Sequence, residues 1–408
     1  MLCMKRHAYP LLEELLTLFP CVVIIGARQT GKTTLLRQLP APWTIFDLEK
    51  LADLEQVARD PDVFFRLNTR QIAIDEGQRL PALFPALRVA IDSDRDRLGR
   101  YIVTGSSSPD LIRAISESLA GRVAILELSP LSSAEAYAQP PSEFFTLLTE
   151  RPAPRDFLAL QPRIDLPQLF AYWLHGGYPE PWIRNQSRFR TLWMQNYLQT
   201  YLDRDLLQLF PGLDRQKFRL FLQLLANLSG NIINYSEVAR ALGVSQPTAR
   251  EYFRIAHGTF LWRHLPPYEK NATKRVVKHP KGYLRDSGLL HHLLHVKDLD
   301  TLQTHPRMGP SWEGMAIETV LRGLHARGTA FDAFHYRTGA GAEIDLIIEG
   351  EFGLIPIEIK HAQQPDNRFR AIRDFVIERN CPLGIIINND ERVRLLDDRL
   401  IGVPLAAL

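Results

Sequence analysis

Gly26-Ala27-Arg28-Gln29-Thr30-Gly31-Lys32-Thr33 sets two glycines, a lysine and a hydroxyl at fixed spacing. The apolar run Val22–Ile25 precedes this segment and the helical run Thr34–Leu39 follows it. These residue types suit a phosphate. Glycines let successive backbone N–H groups curl around anionic oxygens, and a helix start adds partial positive charge. Lys32 is expected to reach the β- and γ-phosphates of a nucleotide, and Thr33 to set its hydroxyl on Mg²⁺. The backbone from Gly26 through Thr34 would line the rest of the cradle. The spacing, with a strand before it and a helix after it, predicts ATP and Mg²⁺ as ligands.

A second group lies about forty residues downstream, where the strand-like run Ile72-Ala73-Ile74 ends in Asp75 and Glu76. Asp75 is expected to hold Mg²⁺ through water, and Glu76 to polarise the attacking water, so hydrolysis is predicted along with binding. The run Tyr101–Thr104 leads into Gly105-Ser106-Ser107, where the Ser106 hydroxyl is a candidate γ-phosphate sensor or part of an ordinary turn. Arg122 is a candidate for steadying transition-state charge, in the same chain or in a neighbouring subunit of a homo-oligomer; its alternative is a structural salt bridge.

Near the other end, Glu343-Ile344-Asp345 and Ile357-Glu358-Ile359-Lys360 flank a turn bracketed by Gly350 and Gly353. If these glycines pair, Asp345 faces Glu358 and Glu343 faces Lys360, with all four on one side of a hairpin. Opposed carboxylates repel, which suggests a second divalent cation between them. A metal on Asp345 and Glu358, with Lys360 beside it, would suit phosphodiester hydrolysis. The arrangement is similar to the D…ExK core of restriction-endonuclease-like nucleases, which often add a preceding helical glutamate; Glu313 or Glu318 would fill that place. An alternating strand explains the same pattern without chemistry.

A third signal is a pair of short helices, Glu237–Leu242 and Gln246–Ile255, joined by Gly243-Val244-Ser245. Ser236 and Ser245 suit N-caps, and Gly243 suits the end of the first helix. This is a helix-turn-helix pattern with Gln246, Thr248, Arg250 and Glu251 on or near its outer face, and Phe260–Pro267 and Gly282–Leu284 as wing strands. Arg263, Lys270, Lys274, Arg275, Lys278 and Lys281 form a basic stretch that would contact nucleic-acid phosphates, DNA being the expected partner.

The elements that must position these groups are mixed. Cys21–Ile25, Thr44–Leu48, Gln71–Asp75, Tyr101–Thr104 and Val123–Leu128 alternate with helical stretches, predicting a parallel sheet covered on both faces. Pro130–Pro167 is proline-rich and reads as a linker or loose insertion, followed by helices around Leu169–Leu174, Phe189–Asp205 and Phe218–Leu228. The expected architecture is α/β and multidomain. A P-loop domain over residues 1–135 leads to a linker and helical region over 136–212, a winged-helix-like domain over 213–295 and a restriction-endonuclease-like domain over 296–408.

A net charge of +3 is too small to establish a polyanion partner by itself. Cys3, Cys21 and Cys381 form no CxxC pair, favouring a reducing, cytoplasmic setting over a disulfide framework or zinc site. Lys5 and Arg6 before Leu11 and Leu12 look like the start of a signal peptide, but Glu13 and Glu14 interrupt the apolar stretch. No apolar run reaches the ~20 residues of a membrane helix. The histidines His291, His292 and His295 read as a helix surface, and Trp173, Trp182, Trp193 and Trp262 as packing anchors.

GARQTGKTTLL, IAIDEGQ, IVTGSSS and SLAGRV resemble the AAA-type ATPase domain of a large group of bacterial and archaeal proteins. GGYPEPW (Gly176–Trp182) and YLQTYLDRDL (Tyr197–Leu206) resemble the carboxy-terminal region of the same group. The resemblance implies an ATPase followed by a winged helix and a further domain. Together the signals predict an ATP-controlled switch on nucleic acid with a metal-dependent nuclease domain. The alternatives are a DNA-binding regulator with a silent nuclease fold and a protein-docking ATPase.

Overall fold

The computed structural model describes residues 4–106, 117–150, 153–206, 210, 212–269, 279–339, 341–362 and 369–408. They form two compact units, Met1–Pro130 with Gly258–Phe260, and Leu131–His257 with Leu261–Leu408.

In the first unit β1 (Cys21–Gly26), β2 (Thr44–Asp47), β3 (Ile72–Asp75), β4 (Tyr101–Ser106) and β5 (Val123–Glu127) make a parallel sheet ordered β2-β3-β4-β1-β5. Every residue of β1 and β3 is buried, the condition of parallel strands covered on both faces. Helix α1 (Tyr9–Leu18) buries Leu11 and Leu12, and α3 (Leu83–Asp92) buries Phe84, Leu87 and Ile91. Between them in the chain, α2 (Lys32–Leu36) starts two residues before the predicted run and ends three before its end. Gly31, left-handed at φ 95°, starts α2 early, and Pro40 disfavours helix at the residue before it.

The second unit begins with the stretch expected to be a loose linker. It is instead packed: Phe144, Phe145, Leu148 and Phe157 are buried, and the Ser142 hydroxyl donates to the Ala407 carbonyl. Apolar residues between the prolines outweighed them. Helices α4 (Leu166–His175) and α5 (Arg215–Leu228) follow, capped by Asp165 and Asp214. After β6 (Asn231–Ile232) come α6 (Tyr235–Leu242), a turn at left-handed Gly243, and α7 (Gln246–Gly258). The cap of α6 is Asn234, whose Oδ1 accepts from the Ser236 and Glu237 N–H groups; Ser236, expected as the cap, already lies in the first turn. Strands β7 (Trp262–Leu265) and β8 (Lys281–Leu284) complete a small antiparallel sheet, β6-β8-β7.

His291 is not on a helix surface. It is buried, with Nε2 at 2.6 Å from the Ser311 hydroxyl and Nδ1 at 3.0 Å from the Leu174 carbonyl. Burial lowers its pKa to about 4, which makes it a neutral core histidine.

Helix α8 (Met308–Ala326) then leads into β9 (Phe331–Arg337), β10 (Glu343–Gly350), β11 (Gly353–Ile359), α9 (Arg370–Glu378), β12 (Gly384–Asn388), β13 (Arg394–Asp397) and β14 (Leu400–Pro404). The strands form one mixed sheet, β13-β14-β12-β11-β10-β9. Strands β10 and β11 pair with Gly350 opposite Gly353, in the register expected from the glycines. Gly353 sits at φ 102°, which a side chain rarely adopts, so the turn needs glycine there. Leu346, Ile348, Ile355, Ile357 and Ile359 are buried as expected, and a register shift between Ile344 and Ile347 puts both of these in one core with Ile372, Phe375 and Val376 of α9.

Candidate functional site

β1 delivers the chain to Gly26, where an added Cβ would lie 2.2 Å from the Leu128 carbonyl oxygen, so only glycine fits. The loop then turns back on itself. The Thr30 hydroxyl donates to the Ala27 carbonyl at 3.0 Å, and Lys32 Nζ donates to the carbonyls of Gly26 (3.0 Å) and Ala27 (2.8 Å). Lys32 is therefore buried inside the loop's curve. Burial lowers its pKa to about 8, with Arg28 acting the same way and Glu76 and Asp75 opposing. Such an ammonium gains from any anion that replaces those carbonyls.

Sheet order brings the second group close. β4 lies between β1 and β3, and the Thr104 hydroxyl on β4 donates to Asp75 Oδ1 at the end of β3. The Glu76 N–H donates to the same hydroxyl at 3.3 Å. Glu76 is left-handed (φ 57°), and its carboxylate accepts from the Gln78 amide. Thr104 escaped the sequence reading, which named Ser106 of the same strand as a γ-phosphate sensor. The available signal was a polar residue continuing the apolar run Tyr101–Val103. The Ser106 backbone pairs with Gly26 across β4 and β1. Arg122 forms a two-point ion pair with Asp92, Nε at 2.8 Å and Nη2 at 2.9 Å from its oxygens. This is the structural salt bridge named as its alternative.

The carboxylates expected on one face of the C-terminal hairpin do gather, but around a different cation. Lys281 of β8 is 5% exposed and donates to Glu313 (2.6 Å) and Glu343 (2.8 Å), with Asp345 Oδ1 at 3.9 Å. Tyr283 donates its hydroxyl to Glu313 as well. Asp345 Oδ2 accepts from the Ile359 N–H at 2.8 Å, and Lys360 Nζ donates to Glu358 at 2.6 Å. Burial, then Glu313 and Glu358, raise the Asp345 pKa well above the ordinary carboxylate range, and burial raises that of Glu358. Burial alone would lower the pKa of Lys281, but Glu313 and Asp345 raise it above the ordinary lysine value.

Several expectations change here. Glu343 turns to Lys281, not Lys360. Among Glu313 and Glu318, it is Glu313 that joins the cluster. Glu318 is buried among Arg263 (2.6 Å), Arg285 (3.1 Å) and Arg322 (3.2 Å). Arg263 and Lys281, read as phosphate contacts, are thus internal ion-pair partners, since β7 and β8 turn them toward α8. Lys270, Lys274, Arg275 and Lys278 lie outside the described residues. Among the described residues no group of three or more His, Cys, Asp or Glu side chains is arranged to hold a metal. Of the residues expected to hold a second cation, Glu313 and Asp345 lie beside Lys281, and Glu358 pairs with Lys360. Also among the described residues, no helix is long and apolar enough to cross a membrane.

Residues 19–137 match a family model described as an AAA domain. Residues 166–300 and 308–408 match two described as domains of unknown function, DUF8612 and DUF4143. The chain is 33% identical over 406 residues to the uncharacterized protein Rv2008c of Mycobacterium tuberculosis, covering 99% of this chain and 84% of that one. The uncharacterized protein Mb2031c of Mycobacterium bovis matches with the same identity and coverage. Among solved structures, the Walker-type ATPase paby2304 of Pyrococcus abyssi aligns at TM-score 0.41 and 16% identity, over 71% of this chain and 96% of that one. The Bacillus subtilis DNA clamp loader delta protein aligns at TM-score 0.25 and 13% identity, over 61% and 87%.

Proposed function

This chain belongs to the family of P-loop ATPases in which an AAA domain precedes a DUF4143 domain, and from that premise we propose an ATP-driven switch that acts on nucleic acid. The observation that carries the reading is Lys32, buried against the carbonyls of its own loop and electrostatically coupled to Asp75 and Glu76. ATP enters as an anion that takes over Lys32 and the loop N–H groups. Thr33 and Asp75, a hydroxyl and a carboxylate, suit Mg²⁺, which when bound neutralises charge on the phosphates. Thr104 holds Asp75 in place, and Glu76 accepts a proton from the attacking water. Glu76→Gln is expected to lower ATP turnover by about 10²–10⁴-fold while leaving ATP affinity within a few-fold. Turnover retained in this variant would remove Glu76 from the chemistry.

Nucleic acid is supported by the helix-turn-helix geometry of α6 and α7, with Gln246 and Arg250 exposed. Arg250 lies over the Tyr235 ring at 4.5 Å, which holds its guanidinium at that surface. We propose that the C-terminal domain is a restriction-endonuclease-like fold that binds without cutting, because Lys281 supplies the positive charge among its carboxylates. The test incubates labelled plasmid with Mg²⁺ or Mn²⁺, with and without ATP, and compares wild type with Asp345→Ala. Salt-dependent retention of intact DNA by both proteins is expected. Metal-dependent nicking lost in Asp345→Ala would make the domain a nuclease, and no retention at any salt would favour protein docking.

A further inference from the structure

Arg6 lies outside the phosphate-loop motif, twenty or more residues upstream of it, yet its guanidinium reaches that loop. Nη1 donates to the Thr30 carbonyl at 2.7 Å, and Nη2 donates to the Ser129 carbonyl at 2.6 Å. Arg6 is 8% exposed, unusual for an arginine. Its place is set by α1. The Arg6 carbonyl accepts from the Tyr9 N–H at 3.0 Å, and α1 is anchored by Leu11 and Leu12.

We infer that Arg6 is a positioning residue for nucleotide binding, which orients the Thr30–Gly31 peptide so that its N–H faces the phosphates. A trans peptide is planar, so its carbonyl and its N–H point to opposite sides. Fixing the Thr30 carbonyl on Arg6 therefore turns the Gly31 N–H away from Arg6, to the side where phosphate oxygens are read to sit. Gly31 is the residue with most freedom to lose that orientation. It has no side chain, adopts φ 95°, and starts α2 immediately before Lys32 and Thr33. An unpinned peptide here could flip and present a carbonyl to the phosphates, a repulsive contact in place of an attractive one. The fork shape of the guanidinium matters because the second arm fixes the first. Ser129 follows Leu128, whose carbonyl lies against Gly26, so Arg6 ties the Thr30 peptide to the same segment after β5 that packs on the start of the loop. A lysine, with one ammonium, cannot reproduce two divergent arms of a rigid fork.

This inference rests on Gly26–Thr33 being the phosphate loop, and the experiment separates the two ideas. ATP affinity is measured by titration, and KM and kcat by turnover, for the wild-type full chain, Arg6→Ala and Arg6→Lys. Thermal unfolding is followed without nucleotide. Arg6→Ala is expected to weaken ATP affinity and raise KM by about tenfold, with kcat per folded molecule within twofold, and Arg6→Lys to recover part of the loss. A purely structural role would reduce the folded fraction and apparent kcat while the affinity of the remaining molecules stayed at the wild-type value. That outcome, or wild-type affinity in a stably folded Arg6→Ala, overturns the assignment. Failure of the wild type itself to bind ATP would instead overturn the phosphate-loop reading.

Discussion

Lys32→Ala is expected to fold normally and to bind ATP at least ~100-fold more weakly than wild type, a loss of about 2.8 kcal/mol at 1.4 kcal/mol per decade. The size follows from what Lys32 does in each state. Without nucleotide it spends a buried ammonium on the Gly26 and Ala27 carbonyls, with a pKa lowered to about 8 by burial. A charge so placed is poorly compensated, and a triphosphate offers it stronger, charge-assisted partners. Deleting it removes that gain while relieving the nucleotide-free fold of a buried cation, so the variant should lose binding without losing stability. Circular dichroism and thermal unfolding establish the fold, and titration with a fluorescent ATP analogue reads the affinity. Affinity within threefold of wild type, in a folded variant, would mean that nucleotide binds elsewhere or not at all.

Glu318→Gln should produce the largest change in stability, a loss of about 3–5 kcal/mol in the unfolding of the second unit at neutral pH. Glu318 is buried and receives the guanidinium nitrogens of Arg263, Arg285 and Arg322. Glutamine has nearly the same shape but leaves three internal cations facing a neutral amide. The effect has a defined pH dependence. Burial would raise the Glu318 pKa, but Arg263, Arg285 and Arg322 together hold it below the ordinary glutamate value. A depressed folded-state pKa means that the carboxylate's stabilisation is fully present above the unfolded-state value of about 4.3 and is lost as pH falls toward the folded-state value. The gap between wild type and Glu318→Gln should therefore be constant from pH 8 to about 5 and narrow below about 4.3. Urea midpoints across that range, followed by tryptophan fluorescence, provide the measurement. A gap under 1 kcal/mol, or one independent of pH, would sink the argument.

The phosphate loop was legible because its chemistry is local. A strand, a glycine turn, a lysine and a helix are consecutive, and backbone geometry puts the N–H groups where the residue order says they are. The hairpin of β10 and β11 was legible for a related reason. Gly350 and Gly353 fix one register, and a two-residue period then decides which side chains share a face. Local rules also indicated the parallel sheet, since buried strands between helices admit few other arrangements.

What the sequence left open were contacts between residues distant in the chain. That β4 inserts between β1 and β3 is a matter of sheet order, and it brings Thr104 to Asp75. Lys281 and Arg263 read as solvated phosphate contacts because their neighbours are basic, yet β8 and β7 deliver them to Glu313 and Glu318 on α8. Arg6 had no assigned role once a signal peptide was set aside at Glu13 and Glu14, and only the packing of α1 revealed its reach to Thr30 and Ser129. Sequence determined which residues could bind a phosphate, because neighbours along a chain share one backbone geometry. Tertiary structure decided which charges face solvent and which face one another, because a buried ion takes its partner from whatever element packs against it.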